Sequence, residues 1–194
     1  MCGIAGFINA EGTEELQTLW IKRMTDAIRH RGPDGEGFYI KPPAVLGHRR
    51  LSIIDLESGW QPMIDHSSGS AIVFNGEIYN FLEIRLDLER RGYKFETKSD
   101  TEVLFKAYLC YGSDCLNRLE GMFAFAVWNT KSKTLFAARD RFGKKPFYFT
   151  FQNGVFIFAS ELLSLKNLPF VKLEIDKRAI AQYLTYEYVP TPNS

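Results

Sequence analysis

The residue best placed to do chemistry is Cys2, at the head of the apolar run "MCGIAGFIN". If Met1 is removed, Cys2 carries a free α-amine beside its own thiol, a base and a nucleophile in one residue. Such an amine titrates at ~7.7–8.0, so roughly 10–20% of it is unprotonated at pH 7 before any influence of the fold. No separate histidine base is then required. The three histidines, His30, His48 and His66, lie in neither a nucleophile elbow nor a zinc-ligand spacing. The competing reading makes Cys2 a small apolar residue in a buried strand.

Acyl transfer also needs donors for an oxyanion. In "FNGEIYN" (74–80), Asn75 offers a side-chain amide and Gly76 an unencumbered backbone N–H. The same pair also reads as an Asn-Gly turn that ends a strand. A free amino acid would need its α-carboxylate and α-ammonium clamped, and Arg50 and Asp100 are the candidates. Arg49 competes with Arg50 for the inward direction, and an acid at Asp100 also suits the first turn of a helix with no ligand present. Cys110 and Cys115 read as packing residues rather than metal ligands. The basic "RDRFGKK" (139–145) reads as a hairpin loop facing a further domain, ahead of a phosphate site.

These residues must be held by the surrounding elements. After a first strand, Leu16, Trp20, Met24, Ala27 and Ile28 recur at helical spacing until "RHRGPDGEG" forces a loop. Short strands are expected near 36–40 and 44–50, and another at 70–75 ended by Gly76. Asn80 and Glu83, then Ser99 and Glu102, predict two capped helices stopped by Gly92 and Gly112. From Gly121 the texture becomes strands: "GMFAFAVWN", "TLFAARD", "PFYFTF" and "GVFIFAS". Several are apolar on both alternating faces, which predicts sheets covered on both sides in a layered sandwich. A last helical pattern at 176–186 runs into "YVPTPNS", which reads as the start of a linker.

The chain has 194 residues, with 24 basic against 23 acidic, a formal net charge of +1. That balance offers no electrostatic case for nucleic acid or an anionic membrane. No apolar stretch approaches the ~18 residues of a membrane helix, and the apolar start lacks the basic flank and cleavage site of an export signal. Three cysteines without framework spacing suit a reducing compartment, so the cytoplasm is expected.

Together the stretches resemble the amino-terminal glutaminase domain of glutamine-dependent asparagine synthetases, class II glutamine amidotransferases of the N-terminal-nucleophile hydrolase superfamily. The resemblance rests on Met1-Cys2-Gly3-Ile4, "RHRGPDGEG" (29–37), "GHRRLSIID" (47–55), "QPM" (61–63), "FNGEIYN" (74–80), "SDTEVL" (99–104), "LEGMFAFAVWN" (119–129) and "RDRFGKKPFYF" (139–149), in family order. It implies an α+β fold, a four-layer αββα sandwich of two mainly antiparallel sheets between helices. It implies that Cys2 attacks the side-chain amide of L-glutamine, that Asn75 and Gly76 hold the oxyanion, and that Arg50 and Asp100 bind the carboxylate and ammonium. Leu51, Ile53 and Glu77 would complete the pocket.

The glutaminase domain would span 1–186, with 187–194 beginning a linker to an ATP-dependent synthetase domain outside this sequence. No metal or cofactor is expected for the glutaminase half, while ATP and Mg are expected for the synthetase half. The expected partners are L-glutamine and that synthetase domain, with a homodimer left open; nucleic acid and membrane are not expected. The alternatives are an amidotransferase serving another acceptor, a non-catalytic glutamine-binding module and an autoprocessing hydrolase.

Overall fold

Side-chain alternation along the strands decides the layering of this chain. The computed structural model describes residues 1–51, 59–166 and 168–190; Ile53 and residues 191–194 of the expected linker lie outside them. In chain order the elements are β1 (Gly3–Ile8), α1 (Glu14–Asp26), β2 (Gly35–Lys41), β3 (Ala44–Arg50), β4 (Met63–Ile64), β5 (Ala71–Ile78), α2 (Phe81–Arg90), α3 (Asp100–Tyr111), β6 (Gly121–Asn129), β7 (Thr134–Arg139), β8 (Tyr148–Gln152), β9 (Val155–Ala159), α4 (Leu162–Lys166) and α5 (Lys177–Tyr186). Two antiparallel sheets result, ordered β2-β3-β1-β9-β8 and β4-β5-β6-β7.

Ile4 and Ile8 of β1 and Leu46 of β3 meet Ala71 and Val73 of β5 and Ala124 and Ala126 of β6 between the sheets. The alanines on β6 keep this face shallow, so the sheets can approach closely. On the far side of the first sheet, Ala5 and Phe7 pack on Trp20, Ile21 and Met24 of α1 and Leu165 of α4. On the far side of the second, Phe123, Phe125 and Val127 pack on Val103, Leu104 and Ala107 of α3 and Ile84 and Leu88 of α2. β6 and β9 are therefore buried on both faces, while β8 leaves Phe149 and Phe151 exposed, in an α+β sandwich of helices, sheet, sheet and helices. Each large side chain so buried, Phe7 and Phe125 among them, stabilises the fold by ~1.5–3 kcal/mol relative to exposure.

Three local expectations are corrected. β5 does not end at Gly76 but continues to Ile78, with Gly76 opposite Phe123 on β6. Asn80 does precede α2, but its side chain makes no cap. Instead its Nδ2 donates to the Arg118 carbonyl at 2.9 Å and its Oδ1 accepts from Glu120 N at 3.0 Å, tying the end of β5 to the chain entering β6. Ser99 caps α3 by accepting from Glu102 N at 3.2 Å. The reciprocal bond is missing, because the Glu102 carboxylate accepts from the backbone of Glu96 and Thr97.

Candidate functional site

Cys2 stands just ahead of β1, where its Sγ lies 3.4 Å from the backbone N and 3.5 Å from the carbonyl oxygen of Leu51. Arg31 fixes the residue from the other side, donating from Nε to the Cys2 carbonyl at 3.0 Å while Glu161 holds its guanidinium at 3.0 Å. The thiol opens on a cavity of about 100 Å³. Arg50, Leu51, Asn75, Gly76, Glu77 and Asp100 all line it, so seven of the eight residues singled out in the sequence converge on one site. The eighth, Ile53, lies outside the described residues.

The choice between Arg49 and Arg50 is settled by strand parity. β3 turns Val45, Gly47 and Arg49 toward α1, and Leu46, His48 and Arg50 toward the second sheet. Arg49 is engaged there, donating to the Thr25 carbonyl at 3.2 Å and pairing with Asp26 and, at 2.7 Å, with Glu36. Arg50 faces the cavity, 4% exposed, with its guanidinium 4.7 Å from the centre of the Trp60 ring. A stacked, buried guanidinium presents its donors in a fixed plane, the geometry a carboxylate accepts.

β5 brings two amide donors to the cavity. The Asn75 side chain is 1% exposed and its Nδ2 has no hydrogen-bond partner among the described residues, an amide donor held ready at the cavity. On the edge of β5 away from β6, Phe74 N donates to Gln61 Oε1 at 2.6 Å and Ile78 N donates to Asp100 Oδ2 at 3.0 Å. The Gly76 N–H points to the same edge by alternation, between those two capped amides. Phe123, opposite Gly76, is turned to Asp140 instead, donating to its carboxylate at 3.2 Å and accepting from its backbone N at 2.8 Å. The Gly76 N–H therefore opens on the cavity beside Asn75. Only glycine fits there, since a Cβ would lie 2.3 Å from the Met122 carbonyl oxygen and 2.6 Å from the Phe74 ring.

Asp100 begins α3 at the opposite wall, 5% exposed. Burial pushes its carboxyl up to about 6; the Ile78 and Thr101 amides pull it down, and the neighbouring charge of Glu77 pushes it up again. At neutral pH it is a buried carboxylate beside a second acid, a site for a cation.

Several residues of the site were not singled out in the sequence. His48 lies on the Arg50 face of β3, and burial pushes its imidazole down to about 3, opposed by the Phe74 backbone and reinforced by Arg50. It is neutral, and among the described residues neither ring nitrogen has a hydrogen-bond partner. Its place on the inward parity of β3 was the available signal. Gln61 bridges β5 to α3, its Nε2 donating to Thr101 Oγ1 at 3.2 Å.

Lys145 is a further such residue, at the end of "RDRFGKK", whose Arg141, Phe142 and Lys144 are exposed. The Asp140 carboxylate accepts backbone N–H groups from Phe123, Phe142, Lys144 and Lys145 at 2.9–3.2 Å. That wraps the loop around Asp140, with Gly143 at φ +61°, and delivers Lys145 to the cavity. Cys115 lies in the core beside α3, where burial pushes its thiol up to about 11.

A family model described as "Glutamine amidotransferase domain" matches residues 1–194. The chain belongs to the glutamine amidotransferase domain family. The domain is 44% identical over 196 residues to "Asparagine synthetase [glutamine-hydrolyzing] 1" of Bacillus subtilis (strain 168), covering 100% of this chain and 31% of that protein. It is 40% identical over 215 residues to "Putative asparagine synthetase [glutamine-hydrolyzing] 2" of Methanocaldococcus jannaschii, covering 100% of this chain and 41% of that one. The chain thus spans well under half the length of these relatives.

Among solved structures, the glutamine phosphoribosylpyrophosphate amidotransferase of B. subtilis, complexed with ADP and GMP, superposes with a TM-score of 0.68 at 22% identity, covering 85% of this chain and 43% of that one. That likeness gives the amidotransferase domain the N-terminal-nucleophile hydrolase fold. Among the described residues no helix is long and apolar enough to cross a membrane.

Proposed function

We propose that this amidotransferase domain hydrolyses the side-chain amide of L-glutamine to glutamate and ammonia through a thioester on Cys2. One observation carries the reading. A thiol, the Asn75 Nδ2, unpartnered among the described residues, and the edge-facing Gly76 N–H share a cavity with a buried guanidinium and a buried carboxylate, Arg50 and Asp100. The fixed charges suit the two ends of a zwitterionic amino acid, and the thiol and amides suit an acyl group.

With Met1 attached, the Cys2 nitrogen is an amide whose lone pair is delocalised, so the reading requires removal of Met1. The freed α-amine takes the thiol proton and the thiolate adds to the amide carbon of glutamine. The resulting oxyanion is held by Asn75 and Gly76, and one such donor contributes ~2.7–4 kcal/mol to lowering the barrier. The α-ammonium returns the proton to the leaving nitrogen, the C–N bond breaks and ammonia departs. Water then adds to the thioester, giving its proton to the same amine. The C–S bond breaks, the thiol is reprotonated and glutamate leaves. Arg50 holds the α-carboxylate, Asp100 and Glu77 the α-ammonium, and the backbone at Leu51 closes the pocket.

The reading extends to the destination of the ammonia. Residues 1–186 form the glutaminase unit, and the chain from 187 begins a linker to an ATP-dependent synthetase part that converts aspartate to asparagine in the cytoplasm. The names of the 40–44% identical relatives support this acceptor. ATP and Mg belong to that part; each step written above uses only groups of this chain, substrate and water.

Intact mass of the purified protein, paired with an assay for glutamate and ammonia released from glutamine, tests the proposal. Loss of Met1, release of both products and abolition of release in Cys2→Ala are expected. Glutamine hydrolysis that survives in Cys2→Ala, or none from protein lacking Met1, overturns it.

A further inference from the structure

Lys145 is 5% exposed, and among the described residues its ammonium has a single hydrogen-bond partner, the Sδ of Met1 at 3.3 Å. A thioether is a weak acceptor, and burying an ammonium against one leaves most of its charge uncompensated. The backbone leaves the residue no freedom to withdraw. Its N–H donates to Asp140 at 3.0 Å and its carbonyl accepts from Arg139 Nε at 2.6 Å.

The charges around it come from several elements. Arg31 precedes β2, Glu77 ends β5, and Asp140 is in its own loop, while Arg50 on β3 and Asp100 on α3 occupy the other walls of the cavity. Arg31 is compensated by Glu161 at 3.0 Å, whereas Lys145 takes part in no ion pair among the described residues. Burial pushes its ammonium below the ordinary lysine range and Arg31 pushes the same way; Cys2, Glu77 and Asp140 hold it up. The Met1 side chain also lines the cavity, so removing Met1 clears the space in front of Nζ.

We propose that Lys145 recognises negative charge at the thiol end of the cavity, where it holds the γ-carboxylate of the glutamate formed there. The inference rests on the glutaminase reading above. Glutamine and glutamate present the same α-carboxylate and α-ammonium to Arg50 and Asp100, so those groups cannot tell them apart. They differ only at the Cys2 end, amide against carboxylate, and Lys145 is a cation standing there with no ion-pair partner among the described residues. Lys145 therefore sets how tightly the product is retained and how strongly glutamate competes with glutamine.

The test uses protein lacking Met1 and carrying Cys2→Ala, so that glutamine binds without turnover, with calorimetric titration of L-glutamate and L-glutamine. Lys145→Met is expected to raise the glutamate-to-glutamine Kd ratio about tenfold, the weight of one charge-assisted bond, with glutamine affinity little changed. Lys145→Gln gives the same shift should the methionine variant not fold. Lys145→Arg keeps the parental ratio, as does Lys144→Met, which removes the same charge from an exposed neighbour. An unmoved ratio in either neutral variant, or equal loss of both ligands, overturns the proposal. If neither ligand binds the parental protein, this inference and the glutaminase reading both fall. If both bind and the ratio shifts, yet protein with intact Cys2 releases no ammonia, only the glutaminase reading falls.

Discussion

Arg49 and Arg50, adjacent in the chain, serve opposite faces of one strand: Arg49 is tied to Thr25, Asp26 and Glu36 beside α1, and Arg50 stands in the cavity against Trp60. Substituting them should separate stability from recognition. Arg49→Met leaves KM for glutamine unchanged and lowers unfolding free energy by about 1–2 kcal/mol, a modest figure because Asp26 and Glu36 remain partly in water. Arg50→Met raises KM by a factor of ten or more, about the contribution of one charge-assisted carboxylate contact, with a smaller effect on urea unfolding. Equal KM effects in the two variants contradict the parity assignment.

Asn75 and Gly76 are neighbours with opposite expected phenotypes. Asn75 Nδ2 is already unpartnered in the fold, so Asn75→Ala leaves thermal stability intact while kcat drops by about 100- to 1,000-fold and KM barely moves. Gly76→Ala instead places a methyl group 2.3 Å from the Met122 carbonyl oxygen, so β5 and β6 must part and expression of folded protein is lost. Soluble, stable Gly76→Ala protein argues against the strand register described here.

Much of this site was legible from residue types whose chemistry is hard to explain otherwise: a thiol at position two, an Asn-Gly pair, and an acid under a serine cap. What escaped depends on partners distant in the chain. Nothing local in "HRR" says which arginine turns inward; the pairing of β3 with β1 and β2 decides it. Asn75-Gly76 read as a turn because Asn-Gly favours one. Gln61 and Asp100 cap the free edge around Gly76 and keep the chain extended through it. Lys145 was not singled out because the Asp140 bonds that fold its loop join residues whose contact no periodicity reveals. α4, at five residues, is too short to show a helical period.

Asp100 should set a pH limit on glutamine binding. With its carboxyl raised to about 6, it is increasingly protonated below that pH, and KM for glutamine should climb as the pH falls from 7 to 5. The effect on stability has the opposite sign. The native state holds this proton more tightly than the unfolded chain, whose carboxyl titrates near 3.8, so Asp100 favours folding below that value and the benefit disappears as pH rises through about 6. Asp100→Asn keeps an oxygen for Ile78 N and removes the buried charge. At pH 8 it should unfold at a higher temperature, by a free energy of about 1–3 kcal/mol, while glutamine binding is lost. A lower unfolding temperature at pH 8 contradicts this account.

His48 pulls the other way. Its folded value of about 3 lies below the ordinary 6.5, so the unfolded chain takes up a proton that the native state refuses. The stability this provides is fully present above pH 6.5 and is lost as pH falls through the interval down to about 3. Between pH 7 and 5 the loss from this residue alone is about 2 kcal/mol, and the gain from Asp100 partly masks it. Replacing the unbonded imidazole with an aliphatic side chain of similar size removes the titration without stranding a polar partner. In urea titrations at pH 7 and pH 5, His48→Leu should therefore lose less stability on acidification than the parental protein, or gain some as Asp100 takes up its proton. An identical pH 7 to pH 5 difference in the two proteins means that His48 is not the buried neutral group described here.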